Sequence, residues 1–206
     1  MRILGWLAIL ALALLGRWEH SDAITAAIVP VALVFLTVVS PRALRGAIAA
    51  IAVVEAVAWG VGGIGAMIDL LPAAITAFVG WLFARSLLPA RAPLIARAIA
   101  AIDGPQYLRD PAVVRYARGL TLLWARFQFA LAAFCLICAL HELGLFPPFA
   151  FPPARTVGMT VVPLAVAMLF FGEFFLRRWL LPQAPRHSLL DFLAAVGRVW
   201  PDLIEK

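Results

Sequence analysis

"RSLLPARAPLIARAIAAIDGPQYLRDPAVVRYARG", residues 85–119, carries six arginines, at 85, 91, 97, 109, 115 and 118. It interrupts a chain that otherwise reads like lipid. Before it lies "LLPAAITAFVGWLF" (70–83), and after it "LTLLWARFQFALAAFCLICAL" (120–140). Over 206 residues, 65% are hydrophobic and 14% are charged, with a mean hydropathy of +1.00. Ordinary soluble domains run nearer to about 45–50% apolar and about 25% charged. A fold of this size cannot hide so much apolar surface from water, so the bilayer is its solvent.

Six stretches have the length and composition to cross, or nearly cross, a hydrocarbon core of about 30 Å as helices. They are 3–16, 23–39, 46–62, 68–84, 119–140 and 156–176. The expected fold is therefore all-α and polytopic. Four spans fill residues 1–84, the basic loop takes 85–118, two further spans occupy 119–176, and a tail covers 177–206. The first span is short, and "MRILGWLAILALALLG" also fits a signal peptide. Either reading leaves residues 17–22 outside.

With six spans and the N-terminus inside, the basic residues fall almost entirely on one side. Fourteen of the 17 Lys and Arg lie in inner segments: Arg2, Arg42, Arg45, the six of the quoted loop, Arg177, Arg178, Arg186, Arg198 and Lys206. The outer loops hold Arg17 and Arg155, and Arg126 lies within a span. Such a bias places the quoted stretch and both termini in the cytoplasm. The net charge of +6 is then topological and faces anionic headgroups. No basic stretch interleaves aromatics for base stacking, so nucleic acid is not an expected partner.

The loop has structure of its own. Leu94, Ile95, Ala98, Ile99 and Ile102 recur at helical spacing, Pro93 suits a first turn, and Gly104-Pro105 ends the pattern. The spacing predicts an amphipathic helix lying in the interface, apolar side down. A second helix starts at about Ala112 and runs into the fifth span. In the tail, Ser188 and Asp191 resemble a capping box, and an interfacial helix is expected over 188–199. Pro30 and Pro163 fall inside spans, where they kink a helix.

Few motifs carry chemistry. "GVGGIG", 60–65, has the spacing of a dinucleotide fingerprint but follows an apolar helix, without the strand that motif needs, and reads as a hairpin turn. Cys135 and Cys138 form a C-x-x-C within a span, where thiols act as small hydrophobes. His141-Glu142 has no second histidine at helical spacing and marks the outer end of the fifth span. Asp69 reads as an N-terminal cap of the fourth. No cofactor and no metal are expected.

The intramembrane charges are the better candidates. Glu55 sits near the middle of the third span, Arg126 about 10 Å from the inner end of the fifth, and Glu173 about one turn from the inner end of the sixth. A charge at the bilayer centre costs about 2.5–3.5 kcal/mol on insertion scales, so such groups pair or line a cavity. Glu55–Arg126 and Arg126–Glu173 both suit the spacing. One reading is a structural ion pair with the arginine snorkelling to the surface. The other is a polar site between helices, open to the cytoplasm. Arg91, Arg97, Arg109, Arg115 and Arg118 are the expected contacts for a partner or for headgroups.

Three stretches, "RSLLPARAPLIARAIAAIDG", "VVRYARGLTLLWARFQFAL" and "FGEFFLRRWLLPQAPRHSLLDFL", resemble a family of small bacterial inner-membrane proteins. Members are encoded in gene clusters for aryl polyene pigments of the xanthomonadin type. The likeness covers roughly 81–200 and centres on the runs 88–95, 116–124 and 172–178. Ala90 stands where glycine is usual, and Ala117-Arg118-Gly119 replaces an arginine pair. The resemblance implies an accessory role at the inner membrane, in biosynthesis or export of a polyene acyl product. The implied partners are membrane lipids and an acyl carrier protein or other proteins of the pathway. Some members bear a ketosynthase-like label, but that chemistry needs a cysteine with two histidines, and neither cysteine here has that company.

Two other classes of function stand beside this one. A membrane-embedded acyltransferase or lipid-modifying enzyme would use Glu55 or Glu173 as base, although no nucleophile motif accompanies them. A small-molecule transporter or a structural scaffold would need only the spans. The charge bias makes a direct prediction. Green fluorescent protein inserted after Gly104 fluoresces and alkaline phosphatase inserted there is inactive; the opposite pair of results would reverse the orientation.

Overall fold

The computed structural model describes residues 42–89, 91–145 and 151–180, with the isolated positions 27, 28, 30, 31, 34, 191, 194 and 195. Among these, every regular element is helical and no strand occurs. The elements are α1 (Arg42–Ser86), α2 (Leu94–Ile102), a 3-10 turn (Pro105–Arg109), α3 (Pro111–Glu142), a single turn α4 (Ala154–Thr156), a π turn (Val157–Val161) and α5 (Val162–Leu180). Three helical stretches have the length and apolar character to cross a membrane: Gly63–Ser86, Pro111–Glu142 and Ala154–Arg177. A shorter apolar stretch covers Ile48–Val57. The protein is thus an all-helical membrane protein. The first expected span and most of both the second and the tail helix at 188–199 lie outside the described residues.

The third and fourth expected spans join more closely than the sequence suggests. In place of the hairpin turn expected at 60–65, α1 is interrupted at Gly63 alone, with φ 67° and ψ −153°. That combination is essentially restricted to glycine, because a Cβ would clash with the backbone. Asp69 consequently lies inside the helix and caps no N-terminus. Its Oδ1 instead accepts from Arg155 Nε at 3.4 Å, so the acid and the arginine expected on the outer side do share a face. Pro163 also departs from the simple picture of a kink. A π turn precedes it, and such a turn rearranges the carbonyls that a proline cannot bond.

The chain divides into two compact units: Met1–Ile75 with Ala132–Met159, and Thr76–Leu131 with Thr160–Lys206. In the first, Ala66, Met67 and Ile68 are buried beside Ile64, Leu70, Leu71 and Leu143. Gly158 of the π turn lies against Pro72 of α1 so closely that a Cβ would stand 2.3 Å from the proline Cγ. In lipid, where no hydrophobic effect drives helices together, such close approaches supply the contact energy.

In the second unit the core joins Phe83 of α1, Leu94 of α2, and Leu120, Trp124 and Ala125 of α3, with Val166, Leu169 and Phe170 of α5 against them. Phe83 and Trp124 stack at 5.7 Å, and Phe127 meets Trp124 edge-on at 6.2 Å. A second cluster pairs Ala96 and Ile99 of α2 with Val113 and Ala117 of α3. The apolar side of α2 is therefore buried by protein, a correction to the expectation that it lies on the bilayer. Alanines at 96 and 117 let the two helices meet. The outer faces stay apolar: Leu122, Leu123, Phe129, Leu136 and Ile137 of α3, and Leu164, Met168, Phe171 and Phe175 of α5, are all exposed to the surroundings.

Substituting Gly158→Ala overpacks a contact whose far side is a rigid ring, at a cost of about 1–3 kcal/mol. The thermal midpoint of detergent-solubilised G158A falls accordingly. Pro72→Ala in the same chain restores much of the loss, since the clashing Cγ is gone. Additive losses in the double variant would show that the contact is not the cause.

Candidate functional site: charged groups around the arginine-rich segment

Pro93 precedes α2 and offers no side-chain cap, yet the first amides of any helix need acceptors. Two distant hydroxyls supply them. Ser86 Oγ donates to the Phe83 carbonyl at 2.7 Å and accepts from Leu94 N–H at 3.0 Å. Thr121 Oγ1 donates to the Ala117 carbonyl at 2.7 Å and accepts from Ile95 N–H at 3.3 Å. Both hydroxyls are buried, so α2 is fastened to the end of α1 and to α3 at its N-terminus.

Its other end is fastened by charge. Asp103 terminates α2, where the helix dipole disfavours an anion. The carboxylate is compensated by Arg177 of α5, whose Nη2 donates to Asp103 Oδ2. The Asp103 side chain is 1% exposed and that of Arg177 is 14% exposed, so this pair is shielded from water. Nearby in sequence to Arg177, Glu173 Oε1 accepts from Tyr116 Oη at 2.6 Å, joining α5 to α3. Gly104, at φ 105°, then lets the chain turn away from α2.

The six arginines separate into two sets. Arg109, Arg115 and Arg118 are exposed. Arg85, Arg91 and Arg97 lie near enough to act on one another electrostatically. Arg97 is partly buried, and its Nε is closed off with no hydrogen-bond partner. Burial, together with the nearby Arg85 and Arg91 guanidinium groups, pulls its pKa below the ordinary arginine value. Arg85 stacks over Trp81, its Cζ 5.0 Å from the ring centroid. Among the described residues, no carboxylate bonds to any of these three. Such a cluster has the chemistry to hold an oxyanion, since guanidinium groups pair bidentately with carboxylates and phosphates.

Of the intramembrane charges, Arg126 and Glu173 belong to the second unit and Glu55 to the first. Glu173 is engaged by Tyr116, and Arg126 is exposed on the face of α3 that carries Leu122, Leu123 and Phe129. Among the described residues, no ion pair joins Arg126 to Glu173. Glu55 is buried in the first unit, and neither of its carboxylate oxygens has a hydrogen-bond partner. Cys135 and Cys138 are buried free thiols on α3. His141 lies in the last turn of the same helix, its ring 5.5 Å from that of Phe151. Among the described residues, no three His, Cys, Asp or Glu side chains gather as a metal site.

Ser86, Thr121, Tyr116, Asp103 and Arg177 are the residues that sequence reading passed over. Asp103 gave a signal, an acid at the wrong end of a helix. The hydroxyls gave none. Compared with known protein families, curated proteins and solved structures, the chain matches none.

Asp103→Ala leaves the shielded Arg177 without its carboxylate and costs about 3 kcal/mol or more, the scale for a buried pair broken on one side. The double substitution D103L/R177M is expected to be milder than D103A alone, because it removes the stranded charge. Thermal unfolding in detergent reads both. Equal losses in the two variants would show that packing, and not the stranded charge, sets the cost.

Proposed function

We propose that the protein is an integral inner-membrane accessory component in the biosynthesis or export of an aryl polyene acyl product. Its arginine-rich segment, on the cytoplasmic side, engages an anionic group of a carrier protein or lipid that bears or accompanies that product. The observation that supports this reading is the set of guanidinium groups at 85, 91 and 97, which no described carboxylate neutralises and which ends a membrane-length helix. The chemical character of the segment fits a partner with phosphate or carboxylate groups, and the apolar outer faces of α3 and α5 fit a long hydrophobic product. The resemblance in the runs 88–95, 116–124 and 172–178 supplies the polyene class.

The test is a clean deletion in the native bacterium, with extracted pigments and lipids profiled by mass spectrometry. Loss or shortening of an aryl polyene is the result expected of a role in assembly, and accumulation of finished pigment at the inner membrane that of a role in export. Complementation with R91E/R97E, inserted at normal abundance, fails to restore the profile. An unchanged profile on deletion removes the polyene assignment altogether.

A further inference from the structure

The six arginines do not form one basic surface, and the two sets suit different partners. Arg109, Arg115 and Arg118 are exposed, the disposition that meets a soluble protein arriving from water. Arg97 is half-buried with a sealed, unpartnered Nε, and Arg85 is the penultimate residue of the stretch Gly63–Ser86. A helix of membrane length puts its last residues at the level of the headgroups. Trp81, one turn before Arg85 and stacked on it, is a residue type that collects at that level. Phe78 stacks on Trp81 at 6.0 Å one further turn inward, extending an aromatic shelf toward the hydrocarbon.

The acids that might have neutralised the cluster are engaged elsewhere. Asp103 binds Arg177, and Glu173 binds Tyr116. The α2 N-terminus adds its positive dipole end beside Arg91 and Arg97. Three cations at headgroup depth, two of them (Arg85 and Arg97) partly withdrawn from water and Arg91 exposed, hold together at lowest cost around a single anion that carries its own apolar anchor.

We propose that Arg85, Arg91 and Arg97 form a seat for the phosphate of one anionic phospholipid, with the Trp81–Phe78 shelf receiving its chains. The assignment rests on the functional reading above and deepens it, naming a lipid phosphate as the anion and separating its seat from the exposed arginines. Arg85, which the sequence pattern did not single out, becomes a lipid contact.

Native mass spectrometry of the full chain in a non-ionic detergent tests this directly. Phosphatidylglycerol and diacylglycerol of the same chain length are titrated in turn. The expected result is retention of one phosphatidylglycerol and no comparable retention of diacylglycerol. Each of R85Q, R91Q and R97Q weakens that retention about fivefold, the scale of roughly 1 kcal/mol per basic residue near an anionic surface. R109Q/R115Q/R118Q leaves it unchanged, and R97K keeps more of it than R97Q. R91Q, at an exposed position, guards against loss of fold.

Equal retention of both lipids overturns the proposal, as does undiminished retention in all three glutamine variants. Displacement of the lipid by millimolar inorganic phosphate would assign the site to a free phosphate and overturn the lipid assignment. Retention of an acidic carrier protein that depends on Arg85 and Arg97, with no retained phosphatidylglycerol, would overturn it as well. The readout is lipid retention and not pigment, so failure of the polyene assignment leaves this result independent.

Discussion

The N-terminus of α2 has to find acceptors for its amides where neither a local cap nor free access to water is on offer. Pro93 sets the backbone for a first turn but has no oxygen to give. The buried hydroxyls of Ser86 and Thr121 meet that need from the end of α1 and the body of α3. Each also donates to a carbonyl of its own helix, so neither leaves a polar group unmatched in a poorly solvated region. The charges on α2 are arranged relative to this fastening. Once α2 is fixed at its first turn, its rise of about 1.5 Å per residue fixes Arg97 near the arginine-bearing end and Asp103 at the opposite end.

That arrangement sorts the charges by sign. The start of α2 is electropositive by its dipole, and Arg85, Arg91 and Arg97 gather there, reinforcing each other's field. The end of α2 is electronegative and carries an aspartate, which Arg177 of α5 offsets. A designer of a stable soluble helix would place these charges the other way round. The inverted pattern stores an unbalanced positive field at one end, and such a field is useful only when something negative comes to it. The cost of keeping it is shared with apolar packing: Phe83, Leu94 and Trp124 are buried directly beneath.

The membrane character and the amphipathic loop helix were legible because they rest on composition and period, which individual contacts do not alter. The start of α3 was placed within a residue, at Pro111 against Ala112. The extent of the turn at 60–65 was overestimated because a glycine-rich string reads as a loop, whereas a single glycine with positive φ suffices to break a helix. The partner of the apolar side of α2 was also misjudged. Periodicity states that a face is apolar and is silent on whether lipid or protein covers it; the small residues Ala96 and Ala117 decided for protein. Of the site, the arginines were visible one by one, but the partial burial of Arg85 and Arg97, against the exposure of the other four, depends on how α2 docks. The hydroxyls that dock it lie 8 and 26 residues from the amides they serve, beyond any local motif.

Arg126 and Glu55 show how side-chain length decides where a charge can stand in a bilayer. Spacing alone made them a plausible pair, each relieving the other's insertion cost. Arg126 instead faces outward among Leu122, Leu123 and Phe129. A stem of that length lets a guanidinium extend toward the polar layer from within a span. Glu55 has only two methylene groups and no such reach, and it is turned inward and buried. The two residues are thus opposite in exposure, Arg126 at the surface of its unit and Glu55 buried within its own. The cation cluster at the end of α1 has no described carboxylate against it, and that is where an external anion has the most to contribute.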